Sequence, residues 1–180
     1  MAGEHSIYLA SYDNAPRSNQ DARFHWALLI APKGAGTDSV MTTRMYHATK
    51  KGDHWTFEHR RVDSVRSPLM LGRIHFADID EDRLGDVGRA LSDPSLLRLQ
   101  EEDWDCGMWA RDAIAALGRR GWLRAKRWSV AERDLDGLFK FAEQFSEKLA
   151  HGRTPVGFNK LPPTKRYTGS RHMLNYLLKL

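Results

Sequence analysis

The chain has one cysteine, Cys106, set in Trp104-Asp105-Cys106-Gly107-Met108-Trp109. Two histidines stand in apolar surroundings, His25 in Phe24-His25-Trp26-Ala27-Leu28 and His47 in Met45-Tyr46-His47-Ala48. A thiol is a strong nucleophile only as thiolate, a form favoured by a neighbouring imidazole and by the positive end of a helix. These three residues therefore supply the parts of an acyl-transfer site. Cys106 would attack an amide, ester or thioester carbonyl, His25 would take and return the proton, and His47 would orient the His25 ring. Glu58 or Asp53, both on the hairpin that follows His47, are alternatives to His47, because a carboxylate also holds an imidazole in place. Trp104, just before the cysteine, is the candidate for lining the substrate cleft.

The elements that would position these groups follow from periodicity. Ile7 to Tyr12 reads as a strand, and Phe24 to Ile30 is apolar on both faces, as in the centre of a sheet. Thr42 to Thr49 and Trp55 to Arg60 form a meander turned at Lys51-Gly52-Asp53. Leu71 to Ile79, mixed in polarity, suggests an edge or a half-exposed strand. After Asp80 the period changes to that of a helix. Asp80 to Leu91 is a short one. Cys106, Trp109, Ala110, Ala113, Ile114 and Leu117 form a continuous stripe on a second, which Asp103 or Asp105 caps and Gly118 or Gly121 ends. A third opens at Ser129 with Glu132 three residues on, and a short terminal helix is expected over Arg171 to Leu180. Cys106 thus falls at a helix start, on its core-facing stripe. Strand alternation puts His25 on the face of Ala27 and Leu29, opposite Phe24, Trp26, Leu28 and Ile30. If the Cys106 helix packs on the His25 face, thiol and imidazole meet across the sheet-helix seam.

Composition narrows the classes. With 180 residues, 41% of them hydrophobic, the chain can build one substantial core. No stretch approaches the roughly 20 apolar residues of a membrane span, and Met1 to His5 lacks a secretory layout. One cysteine makes no internal disulfide, so a cytoplasmic protein is expected. The net charge of +5 is uneven. Residues 1–118 hold 14 basic and 18 acidic residues, and 119–180 hold 14 and 5. An anionic partner at the basic C-terminal half is therefore an open reading, beside that of a merely solvated surface. His47, His54, His59 and His75 have no zinc-ligand spacing, and Lys33-Gly34-Ala35-Gly36-Thr37 has no P-loop ending. No metal and no cofactor are expected.

The order of a strand histidine in FHWALLIAPKG, a second in RMYHAT and a cysteine opening a helix in WDCGMWARDAIAAL resembles the circularly permuted papain-like proteins. Their relatives include the NlpC/P60 peptidases, the lecithin retinol acyltransferase-like enzymes and the PPPDE-type peptidases. The chain is also similar to short fungal proteins with the same HWAL, YHA and cysteine-helix layout. The resemblance covers about residues 5 to 120. It implies His25 as base, His47 as its partner and Cys106 as nucleophile. It departs where that branch has Asn before the cysteine and this chain has Trp104-Asp105. The expected fold is α+β, a mainly antiparallel sheet of about five strands against two to three helices, permuted papain-like over 1–152, with a basic extension over 153–180. The expected activity is a cysteine hydrolase or acyltransferase on an acyl-bearing small molecule, peptide or carrier-bound substrate. Two other readings stay open: a non-catalytic interaction module on the same scaffold, and a transferase docking an anionic acyl donor on its basic half.

Overall fold

The structure, a computed structural model, describes residues 3–14, 23–34, 42–62, 69–98, 101–125, 132–152 and 162–169. Within them, strands β1 (Glu4–Asp13), β2 (Phe24–Pro32), β3 (Thr43–Lys51), β4 (His54–Val62), β5 (Met70–Asp80) and β6 (Thr164–Arg166) make one sheet. Helices α1 (Leu84–Leu91), α2 (Cys106–Arg119) and α3 (Glu132–His151) complete an α+β architecture. The strand order is β4-β3-β2-β1-β5-β6. All neighbours run antiparallel except β6, which is parallel to β5. The sheet is thus mixed and six-stranded. Three exposed residues, Thr164 to Arg166, are too few for a period of two to mark β6 in the sequence.

The doubly apolar run of β2 lies inside the sheet between β1 and β3, as its composition demands. The β3–β4 hairpin turns at Gly52, whose φ of 60° lies in the left-handed region that glycine enters without strain. Strand β5 corrects the expectation of an edge or half-exposed strand. It is buried almost throughout, with β6 outside it. Its polar side chains find partners in place: Asp78 accepts from Ser6 Oγ at 3.0 Å and meets His75 Nε2 at 2.8 Å, and one donor of Arg73, Nε, reaches Thr164 Oγ1 at 3.0 Å. The expected helix from Asp80 to Leu91 divides into a single 3₁₀ turn over Glu81–Arg83 and then α1.

Helix α2 starts at Cys106 because Asp105, extended and non-helical, accepts the Met108 N–H at 2.9 Å. Its stripe of Cys106, Trp109, Ala110, Ala113, Ile114 and Leu117 is buried together with Phe24, Trp26, Leu28 and Ile30 of β2. Helix α3 covers the same face further along, where Ser146 Oγ donates to Ser11 Oγ at 2.7 Å. Of the remaining expectations, Ser129, the helix over Arg171 to Leu180 and residues 153–161 of the basic segment lie outside the described residues. Among the described residues no helix is long and apolar enough to cross a membrane.

Gly72 shows how closely α3 approaches β5. A Cβ there would stand 2.7 Å from Leu149 Cδ1, 2.9 Å from Phe145 Cε1 and 3.1 Å from the Pro163 carbonyl oxygen. Gly72→Val should therefore cost about 1–3 kcal/mol through overpacking, read as a lowered urea midpoint. An unchanged midpoint would mean that α3 gives way freely at this contact.

Candidate active site

The site forms where two neighbouring strands part. Strands β2 and β3 are in register only over Leu28↔Tyr46, Leu29↔Met45 and Ile30↔Arg44. On either side the ladders run on, β1 with β2 as far as Asp13↔Phe24 and β3 with β4 as far as Lys51↔His54. The Phe24 and Trp26 backbone groups on the β3 side of β2 are thus left without a strand partner, and buried backbone groups need one. Cys106 supplies it. Its Sγ accepts the Trp26 N–H at 3.4 Å and donates to the Phe24 carbonyl at 3.9 Å. Gly107 lets the helix start come this close, since a Cβ there would stand 3.2 Å from Trp26 Cδ1.

The thiol is 2% exposed. Burial pushes its pKa up to about 12, and the Asp105 carboxylate adds to that against the lowering effect of the Trp26 N–H. The helix N-terminus alone would act in the opposite direction. In this arrangement Cys106 is a neutral thiol held on the β2 backbone.

His25 and His47 meet over the same gap on the other face of the sheet. His25 Nε2 and His47 Nδ1 are 2.7 Å apart, with the rings edge to face. Across the hairpin Glu58 is registered with His47, and its Oε2 lies 3.5 Å from His47 Nε2. That separation is an electrostatic contact, and His47 Nε2 remains buried without a hydrogen bond. Lys51 Nζ, 2.7 Å from Glu58 Oε1, holds the Glu58 carboxyl below its ordinary pKa, so the carboxylate stays charged at neutral pH.

A single proton arrangement suits this chain of groups. The His47 nitrogen facing the carboxylate carries hydrogen, so Nδ1 of the neutral ring is the acceptor for His25 Nε2–H. The lone pair of His25 then resides on Nδ1, which has no partner among the described residues. Both rings are neutral at pH 7. Burial, aided by the Arg60 charge, brings His25 down to about 4, and burial with the neighbouring His25 brings His47 to about 4.

The structure brings His25 and His47 together and places Cys106 beside the same stretch of β2. It also corrects the packing expectation, because α2 lies on the Phe24–Trp26 face and not on the His25 face. The larger side chains Phe24, Trp26, Leu28 and Ile30 bury more apolar surface against the helix than His25, Ala27 and Leu29 would. No hydrogen bond joins Cys106 to either imidazole. Of the two alternatives to His47 as orienting group, Glu58 stands second in line behind it, and Asp53 sits in the exposed β3–β4 turn. Trp104 is 4% exposed and edge to face with Trp55 in the core, its buried indole N–H without a hydrogen bond among the described residues. Two further neighbours of His25 emerge only with the register. Tyr12 is paired with it across β1, ring centroids 6.1 Å apart, and Arg60 on β4 is registered with Met45 on the same face. Among the described residues no group of three or more metal-ligating side chains gathers.

Residues 5–153 match the model of a family of unknown function, DUF6914. No curated protein and no solved structure matches the chain.

The depressed histidines make stability depend on pH in a stated direction. A histidine at about 4 when folded and 6.5 when unfolded binds more protons in the unfolded state between those values. Its contribution is present above pH 6.5 and is lost as pH falls to about 4, at up to about 1.4 kcal/mol per pH unit for each ring. Urea midpoints measured from pH 7 to 4 should fall more steeply for the wild type than for His25→Gln with His47→Gln. Parallel curves would remove the buried neutral pair.

Proposed function

Because the chain belongs to this family of unknown function, we propose an activity from the site itself: cysteine-dependent acyl transfer, on a scaffold arranged like the permuted papain-like proteins. The observation that carries the reading is the chain Glu58, His47, His25. It ends at His25 Nδ1, without a partner among the described residues, while the Cys106 sulfur is bonded to the N–H of the very next residue, Trp26. A polarised imidazole beside a thiol at a helix start is the minimum set for nucleophilic catalysis.

Cys106 Sγ attacks the carbonyl carbon of an amide, ester or thioester as its proton passes to His25 Nδ1. The imidazolium so formed is stabilised through His47 by the Glu58 carboxylate. The N–H groups of Cys106 and Gly107, which lie at the sulfur and are not taken by the Asp105 cap, stabilise the developing oxyanion. As the tetrahedral intermediate collapses, His25 returns the proton to the leaving group, leaving a thioester on Cys106. Water or an amine then resolves it, with His25 as base again. Because both partners are neutral at rest, the proton moves during attack and not before it. The sulfur must first leave the Phe24 carbonyl and turn toward the imidazole.

The burial of Cys106 supports a second reading, an interaction module that uses the His25 face without chemistry. One experiment separates the two. The protein is incubated with a p-nitrophenyl ester at pH 7.5 and its intact mass is followed. Acyl transfer predicts an acyl adduct on Cys106, absent from Cys106→Ala and formed about 10²–10⁴-fold more slowly in His25→Ala. A wild type that gains no adduct, in a sample whose thiol reacts once unfolded, supports the module.

A further inference from the structure

The face of the sheet that carries His25 also holds a charge without a counterion among the described residues. Arg73, on β5, is registered with Ala10 of β1, whose partner on β2 is Ala27, two residues from His25. It is 7% exposed. Its Nε donates to Thr164 Oγ1 at 3.0 Å, and its guanidinium carbon stands 4.3 Å above the centre of the Tyr8 ring. A guanidinium has five N–H donors, and the Nη groups of this one meet no acceptor among the described residues. Neither Nη atom is among the fully enclosed unpaired ones.

The carboxylates within reach of this face are committed elsewhere. Asp78 is taken by His75, Ser6 and Lys33, and Glu58 by Lys51. Burying a cation without a carboxylate costs several kcal/mol, and burial lowers the affinity of Arg73 for its proton accordingly. The stacked Tyr8 ring and one hydroxyl offset only part of this. At the opposite flank of the face stands Arg60, on β4, whose charge acts on Glu58 and on His25. A surface with a cation at each flank and neutral histidines between them is biased toward an anionic ligand.

We propose that Arg73 anchors an oxyanion, a phosphate or a carboxylate, borne by the ligand of the His25 face. The planar fork of arginine suits both groups, which a lysine meets only as a point charge. From Arg73 to His25 the path crosses two strand spacings and two residues, roughly 12 Å between Cα positions. The acyl substrate is accordingly an elongated molecule, charged at the end remote from its reacting carbonyl. That the ligand is a substrate rests on the acyl-transfer reading; that an oxyanion binds at Arg73 does not.

The test titrates inorganic phosphate, and separately acetate, into the full chain at constant ionic strength set with chloride, following the thermal midpoint. Wild type and Cys106→Ala should show the same saturable stabilisation by one or both anions. Arg73→Met, which keeps the buried aliphatic volume, should lose at least about tenfold in affinity while folding as well as the wild type or better. Arg73→Lys, which keeps the charge, should lose less. No saturable stabilisation of the wild type by either anion, or an equal response from Arg73→Met, overturns the proposal. Anion binding that depends on Arg73, in a protein that forms no acyl adduct on Cys106, leaves the anion site standing and removes the acyl-transfer reading.

Discussion

Below Leu28 the backbone of β2 loses its partner on β3, and a single sulfur atom takes that partner's place. The Trp26 N–H and the Phe24 carbonyl would otherwise be buried and unpaired, at a cost of about 1–3 kcal/mol each. Cys106 satisfies both. Everything at the candidate site depends on this substitution. It allows the strands to part, and the parting gives His25 and His47 room to meet over the gap. It also ties the start of α2 to the sheet through Gly107, where a larger residue would crowd Trp26. A sulfur that holds two strands apart is also the group best placed to leave them when something better arrives.

The same burial decides the electrostatics. Low local dielectric penalises charge, so the thiol and both imidazoles rest in their neutral forms, and the charges of the site stay at its rim on Glu58, Lys51 and Arg60. No thiolate–imidazolium pair stands at rest between Cys106 and His25. The site's capacity lies in the Glu58 carboxylate, which gains interaction energy when His25 takes up a proton. The strength of the base is therefore set two strands and one ring away from the atom that uses it.

Much of this was legible in the sequence, for physical reasons. The apolar run Phe24 to Ile30 can be satisfied only inside a sheet, Gly52 turns a hairpin, and Asp105 with the stripe from Cys106 to Leu117 defines α2 at both ends. Alternation correctly put His25 opposite Phe24 and Trp26. It carried no information about which face α2 would take, because both faces of β2 are apolar and only total buried area separates them. Strand β5 was misjudged because its polar residues are paired with partners far along the chain, Asp78 with Ser6 and Arg73 with Thr164. The Tyr12 ring and Arg60 were missed for the same reason. They come to His25 through register, and register is a property of two segments.

The short parallel strand β6 has a kinetic meaning. Its pairing with β5 joins residues about ninety positions apart, Arg73 with Thr164 and His75 with Arg166, whereas the β3–β4 hairpin closes over a two-residue turn. Contacts separated so far along the chain are entropically expensive to close and tend to form late. The Thr164 hydroxyl that meets Arg73 belongs to this costly contact, so the part of the guanidinium's water that Thr164 displaces is, on that ordering, given up only once the strands that close locally have formed.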